Sequence, residues 1–219
     1  MVREIVHLQI GQCGNRCGSR FWENLLHESR ISNIEDNVLN QVYYNETKRG
    51  PIPRALLIGW DPEQIDKILT GKDDKIISYN YLTENINIEN FSTYALSYYT
   101  RSLDYGEKIF EFVRKEVEKC DSLQGFQIVH SLGGGCGSGL SSFILNGLHD
   151  EYPDRTIATF SVIPSKYISE LTIQPYNFVL SLNHLIEMAD EVMCFDNEAL
   201  YNICTKHAYL KYPSYGDLN

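Results

Sequence analysis

Five of the seven residues from Gly133 to Gly139 are glycine, the exceptions being Cys136 and Ser138. Glycine has no Cβ, so such a backbone can approach a ligand closely. Several N–H groups can then point at one spot, and a helix starting just beyond adds positive potential. The chemistry this suits is phosphate binding. A tight turn alone needs one or two glycines. Two familiar phosphate loops are excluded. Gly134 and Gly139 have the P-loop spacing, but Leu140 stands where that loop needs Lys. The dinucleotide fingerprint fails too. Counted from Gly133 its third glycine falls on Ser138, and counted from Gly135 on Leu140. An earlier turn, Gly11-Gln12-Cys13-Gly14, also misses that spacing.

Other reactive residue types are scattered. The cysteines (Cys13, Cys17, Cys120, Cys136, Cys194, Cys204) form no C-x-x-C, and no histidine pair has metal-ligand spacing, which argues against zinc. Without a secretory signal a disulfide framework is not expected. Most of the cysteines read as small apolar residues. Cys13 and Cys136 stand apart because each sits in a glycine-rich turn. His7, His27, His130, His149, His184 and His207 each read as a structural histidine with its hydrogen bonds satisfied.

The positioning elements follow from periodicity. Glu4–Ile10 reads as a strand, Gly11–Gly14 as a turn, and the next stretch as a helix to about Glu28, with Cys17, Phe21 and Leu25 on one face. Residues 30–53 are polar and Asn-rich and read as a surface connection. Arg54–Gly59 reads as a strand, and Pro62 fits the first position of a helix to about Leu69. Residues 71–102 show little period. Asp104 and Glu107 resemble a capping box opening a helix that carries Phe110, Val113, Val117 and Cys120. Gly125–Ser131 reads as a strand running into the glycine run, then a helix to about Asp150. Thr156–Val162 is a strand. Pro175–Ala189 is a helix with Phe178, Leu182, Leu185 and Ala189 on one side. Glu191–Phe195 is a strand, followed by a short helix from Glu198. Alternating strands and helices predict an α/β fold: a Rossmann-like, doubly wound, mainly parallel sheet with helices on both faces. The turns after the strands gather on one edge, where such sheets bind ligands.

Composition sets the outer limits. The chain has 219 residues, 43% hydrophobic and 22% charged, which suits a globular protein with its own core. A net charge of −10 argues against nucleic acid or a membrane surface as partner, both being polyanions. No apolar run approaches the ~20 residues of a membrane span. Glu4 falls where a signal peptide would be basic and then apolar, so the cytoplasm is the expected location.

At this point the sequence resembles the tubulin family. Val2–Gly14 is similar to the tubulin start, and Gly133–Gly139 to the tubulin–FtsZ phosphate signature. Val113–Asp121 with Leu123-Gln124-Gly125-Phe126-Gln127, and the stretch from Glu151 through Asp196–Tyr201, extend the likeness. Leu132, Leu123–Gln127 and Tyr152–Arg155 look more like beta-tubulin than alpha. The likeness is close at 3–28 and from about 105 onward, and loose from 30 to 100. It implies one GTP-binding domain over 1–219, with GTP or GDP and Mg2+ as ligands. It places Gln12 and Cys13 near the phosphates and Ser131, Gly135, Cys136 and Gly137 in the main phosphate loop. It sets Glu170 at the ribose, Asn197 and Asn219 at the guanine edge, Tyr215 on the ring, and Asp61 by the magnesium. An Asn side chain both donates and accepts, as guanine recognition needs. Capping the helix at Glu198 is the other reading of Asn197. Alpha-tubulin or other tubulins, and chaperones, are the implied partners, in the cytoskeleton.

The sequence departs from the family pattern in places. Cys136 replaces Thr, a weaker donor for one phosphate contact. Gly59-Trp60-Asp61 keeps one of two acids in the magnesium region. Residues 88–97 have no glycine where the family has a glycine-rich loop near the terminal phosphate, and Glu89 adds charge. Gln174 stands at a usually acidic position. The chain ends at Asn219, about where the family's long central helix starts. The acid that triggers hydrolysis comes from beyond that point in a neighbouring subunit, so independent GTP turnover is not expected. A bare apolar sheet face predicts poor solubility. The competing reading is an interaction module, or a gene remnant, that no longer binds nucleotide.

Overall fold

The computed structural model describes residues 3–31, 38–47, 50–69, 80–83, 92–165, 172–206, 210 and 213. The chain opens with strand β1 (Glu4–Ile10) and helix α1 (Gly11–Ile31). Helix α2 (Val38–Tyr43) leads into a hairpin of β2 (Tyr44–Thr47) and β3 (Gly50–Pro53). Strand β4 (Ala55–Gly59), helix α3 (Pro62–Leu69) and strand β5 (Asn80–Thr83) follow. A π-helical segment (Leu96–Arg101) runs into α4 (Ser102–Val117). Then come β6 (Leu123–Ser131), a π-helical turn (Cys136–Leu140) and α5 (Ser141–Glu151). The described part closes with β7 (Thr156–Ile163), α6 (Gln174–Met188), β8 (Glu191–Asp196) and α7 (Asn197–Lys206).

Six strands form one parallel sheet in the order β5-β4-β1-β6-β7-β8. Strand order reverses between β1 and β6, so the turns after these two strands flank the switch point. The predicted Rossmann-like class is therefore what the chain adopts. Alternation along β4 divides the core into two layers. Leu56 and Ile58 join Val6, Leu8, Ile10 and Ile128 in a cluster with Ile109 and Val113 of α4, Ile144 and Leu148 of α5, and Leu185 of α6. Ala55 and Leu57 face the other way, to Trp22 and Leu25 of α1 and Ile65 of α3. Helices thus cover both faces. Two glycines let α1 lie close to the sheet. A Cβ on Gly14 would sit 2.2 Å from the Val129 carbonyl oxygen, and one on Gly18 would overlap Gln9.

Four expectations need correction. Gly11 begins α1 directly, taking φ of 75° where a turn was expected. Residues 30–53 are not wholly irregular, because α2 and the β2–β3 hairpin lie within them. Asp104 is no helix cap. The backbone is already helical at Tyr94, so Asp104 falls inside α4. On α6, Phe178, Leu185 and Ala189 pack on the core as expected but Leu182 is not among those contacts, and the buried positions are Asn177, Ser181 and Leu185, one turn apart.

Candidate functional site

Gly11 at the start of α1 and the Gly133–Gly139 run meet at the switch point. A Cβ on Gly11 would lie 3.2 Å from the Gly137 nitrogen and 3.5 Å from Cys136 Sγ. Gln12 and Cys13, in the first turn of α1, therefore adjoin the segment holding Gly135, Cys136 and Gly137. Ser131 sits beneath that segment. A Cβ on Gly137 would be 2.5 Å from its carbonyl oxygen, and one on Gly134 would meet only its hydroxyl, at 3.7 Å. The backbone turns helical at Gly135, and the first four N–H groups of a helix have no acceptor within it. Gly134 is exposed, so an anion has room to approach.

The loop's carbonyls are tied down by side chains. Ser138 Oγ donates to the carbonyl oxygen of Gly134, Ser141 Oγ to that of Gly137, and Ser142 Oγ to that of Ser138. His130 is fully buried on β6. Its Nδ1 lies 2.7 Å from the Gly137 carbonyl oxygen, which can only accept, so Nδ1 carries the proton. Nε2 then accepts from Ser161 Oγ at 2.8 Å. Burial pushes His130 down to about 4, so the ring is neutral at pH 7. The thiol of Cys136 packs against the apolar core, and burial pushes it up to about 12. It therefore brings no negative charge to the loop.

Asn177 fastens a third segment to the same place. Its Nδ2 donates to the carbonyl oxygens of Gly133 (2.8 Å) and Ser92 (2.7 Å), and its Oδ1 accepts from the Tyr94 N–H (2.8 Å). Tyr94 stacks on Tyr98 at 5.4 Å, and a Cβ on Gly139 would strike the Tyr94 carbonyl oxygen. Gln174, at the start of α6, brings a neutral amide beside Gly133. Ile88-Glu89-Asn90 lies outside the described residues.

The remaining expected residues separate. Asp61 follows β4 and is half-buried. Asn15 reaches across from α1, donating from Nδ2 to the Ile58 carbonyl oxygen at 3.2 Å, beside Gly59. Among the described residues no group of three or more His, Cys, Asp or Glu could hold a metal. A magnesium ion at Asp61 would need phosphate oxygens as further ligands, the usual arrangement for that ion. Asn197 opens α7, and Asp196 rather than Asn197 caps it: Asp196 Oδ1 accepts from the Glu198 N–H at 2.9 Å. Asn197 instead lines a cavity of about 330 Å³ with Cys17 and Phe21 of α1, His7 of β1 and Phe195 of β8. That cavity begins one helical turn beyond Cys13. Glu170, Tyr215 and Asn219 lie outside the described residues.

Sequence reasoning missed the roles of His130 and Asn177. A polar Asn on the inner side of α6 was the available signal, because Asn disfavours helix interiors unless it has partners. The expectation for histidines holds at His130 and at His184, whose Nδ1 lies 3.0 Å from Asn146 Oδ1. It fails at His7, which is 2% exposed with neither ring nitrogen hydrogen-bonded. None of the six cysteines is in a disulfide.

Comparison with known proteins agrees with this geometry. The family model described as the Tubulin/FtsZ family, GTPase domain, matches residues 4–205. The chain is 42% identical to the nucleomorph tubulin beta chain of Guillardia theta, over 100% of this chain and 51% of that protein. It is 43% identical to the tubulin beta-6 chain of Gallus gallus, over 100% of this chain and 51% of that one. It is also 43% identical to the tubulin beta chain of Aspergillus fumigatus, over 100% of this chain and 50% of that protein. The chain thus spans about half the length of these relatives. With the parallel sheet, the glycine turns at its switch point and the match over nearly all its length, this chain belongs to the tubulin/FtsZ family.

Proposed function

We propose that this chain is a beta-tubulin-like domain that binds a guanine nucleotide and associates with other tubulins in the cytoplasmic cytoskeleton. The observation that carries the reading is the meeting of Gly11, at the start of α1, with the Gly133–Gly139 run where strand order reverses. Gln12, Cys13, Ser131, Gly135, Cys136 and Gly137 hold the phosphates, chiefly through backbone N–H groups. Asn197 reads the guanine edge, joined by Asn219 and with Tyr215 on the ring, while Glu170 meets the ribose. Asp61 contributes one carboxylate to a magnesium ion, which when bound offsets phosphate charge. Asn197 suits its part because Asp196 has taken over the capping of α7. Alpha-tubulin is the proposed partner, and hydrolysis by this chain alone is not part of the proposal.

The test is binding of a fluorescent guanine nucleotide to the purified chain, with and without magnesium, against an adenine analogue. Micromolar or tighter guanine-selective binding, weakened about tenfold by Asn197→Ala, is the expected result, a loss of ~1.4 kcal/mol. No binding by a chain with intact secondary structure would overturn it and leave an interaction module.

A further inference from the structure

Gly133, Gly134 and Gly135 stand side by side in the loop. Their freedom lets the backbone approach a ligand, but it also lets each peptide plane rotate. Glycine alone therefore does not decide whether an N–H or a carbonyl faces the open side. Two buried side chains decide it. In a planar trans peptide, the only kind among the described residues, one residue's carbonyl and the next residue's N–H point opposite ways. Asn177 is 2% exposed and donates from Nδ2 to the Gly133 carbonyl oxygen at 2.8 Å. That turns the Gly134 N–H away from α6. Ser138 is fully buried and donates to the Gly134 carbonyl oxygen twice, from Oγ at 2.6 Å and from its N–H at 2.9 Å. That turns the Gly135 N–H away from the π-helical turn. Ser138 Oγ also lies 3.3 Å from the Gly135 carbonyl oxygen, so the Cys136 N–H follows.

We infer, on the nucleotide reading above, that Ser138 and Asn177 are positioning residues of the phosphate loop. They hold three successive carbonyls from behind, so that the N–H groups of Gly134, Gly135 and Cys136 face the open side together and form one nest for a phosphate oxyanion.

Both holders are locked in place. The Gly134 carbonyl oxygen has two lone pairs, and Ser138 fills both. Rotating that peptide would leave a hydroxyl and an N–H without acceptors in the interior, which is unfavourable. Both amide protons of Asn177 are placed, one on Gly133 and one on the Ser92 carbonyl oxygen at 2.7 Å, while Oδ1 accepts from the Tyr94 N–H. A flipped amide would set Oδ1 against two carbonyl oxygens, so the network fixes its orientation. Being buried, neither side chain touches the anion. Each acts through the backbone, and donors aimed in advance need no reorientation when the charge arrives.

The test titrates the isotopically labelled full chain with inorganic pyrophosphate, and separately with GDP and ADP, following the backbone amides by NMR. With pyrophosphate the amide protons of Gly134, Gly135 and Cys136 should move downfield together, as hydrogen bonds to an anion require. The Ser138 amide proton, already held by Gly134, should not join them. Ser138→Ala and Asn177→Ala should each weaken pyrophosphate about tenfold. Ser138→Thr keeps a hydroxyl able to bond the carbonyl one turn back and should recover most of the loss. Ser181→Ala deletes an equally buried hydroxyl, which bonds the Phe178 carbonyl oxygen within α6, and should leave the affinity within about twofold. Pyrophosphate binding that leaves the three amides in place overturns the inference. So does an unchanged affinity in either alanine variant, or a loss in Ser181→Ala as large as theirs. A chain that binds none of the ligands overturns it together with the nucleotide reading. Pyrophosphate binding at the three amides without preference for GDP over ADP overturns the nucleotide reading alone. If one alanine variant does not fold, the other and the wild-type shifts decide.

Discussion

A Cβ on Gly137 would lie 2.5 Å from the Ser131 carbonyl oxygen, whereas one on Gly134 would meet only the Ser131 hydroxyl, at 3.7 Å. Two neighbouring glycines therefore have different reasons to be glycine. At Gly137 backbone approaches backbone, and added volume must push β6 away from its own loop. Gly137→Ala should cost about 2 kcal/mol of stability in urea unfolding, the usual penalty for overpacking. At Gly134 the space is open on the folded chain. Gly134→Ala should unfold within ~0.5 kcal/mol of the parent. If the loop cradles phosphate, the same methyl group occupies the anion's place, and guanine-nucleotide affinity should fall at least about tenfold. Unchanged affinity in Gly134→Ala would mean that the anion does not sit there. The pair separates folding from binding within one loop.

At the scale of elements, β6 and its loop are held by a neutral histidine. The folded chain keeps His130 near 4 while an unfolded chain has it at 6.5. Between these values the unfolded state binds more protons, so stability rises with pH there. The contribution is complete above about pH 6.5 and is lost as pH falls toward 4. It amounts to on the order of 3 kcal/mol for a shift of this size. His7, held near 3, adds a loss of the same sign. Unfolding free energy measured from pH 7 to 4.5 should therefore decline. His130→Gln should show a shallower slope, and an identical slope would show that this ring does not carry the dependence. Much of the framework that positions His130 was legible in the sequence, because short apolar runs mark parallel strands buried on both faces, as in β1 and β4, and four-residue spacings mark their covering helices. What was not legible had no such period. The segment Leu96–Arg101 is π-helical, so its residues do not repeat every three or four, and α4 was read as starting too late. The β2–β3 hairpin carries Pro51 and Pro53 and pairs outside the main sheet, which hid it among polar residues. Glycine turns announce themselves by composition. The partners of His130 and Asn177 lie on other elements, so no local pattern could show them.

For the molecule as a whole, the described sheet ends at β8 with a mostly apolar, exposed strand. Val192, Met193 and Phe195 are 38–44% exposed, and among the described residues β8 pairs only with β7. An edge of this kind offers unpaired backbone groups together with apolar side chains, which favours strand addition by another molecule. The helix before it adds Tyr176, Val179 and Ile186, all well exposed. The purified chain should associate at high concentration. Val192→Lys should reduce that association in light scattering while leaving the melting temperature within a few degrees, because the side chain is not in the core. If Val192→Lys associates as strongly as the parent, the contact lies elsewhere, with the α6 face as the next place to substitute.

The amide of Asn177 gives this chain an internal clock. The Tyr94 N–H donates to Asn177 Oδ1, while the same side chain holds the Gly133 carbonyl oxygen. Deuterium replaces that hydrogen only when Asn177 lets go. Its exchange rate, read on the unlabelled parent protein, therefore times the opening of the glycine turn from a position about 40 residues away in sequence. A ligand that settles on the loop should slow exchange at Tyr94 without touching it, and Asn177→Ala should let that amide exchange as fast as its exposed neighbours.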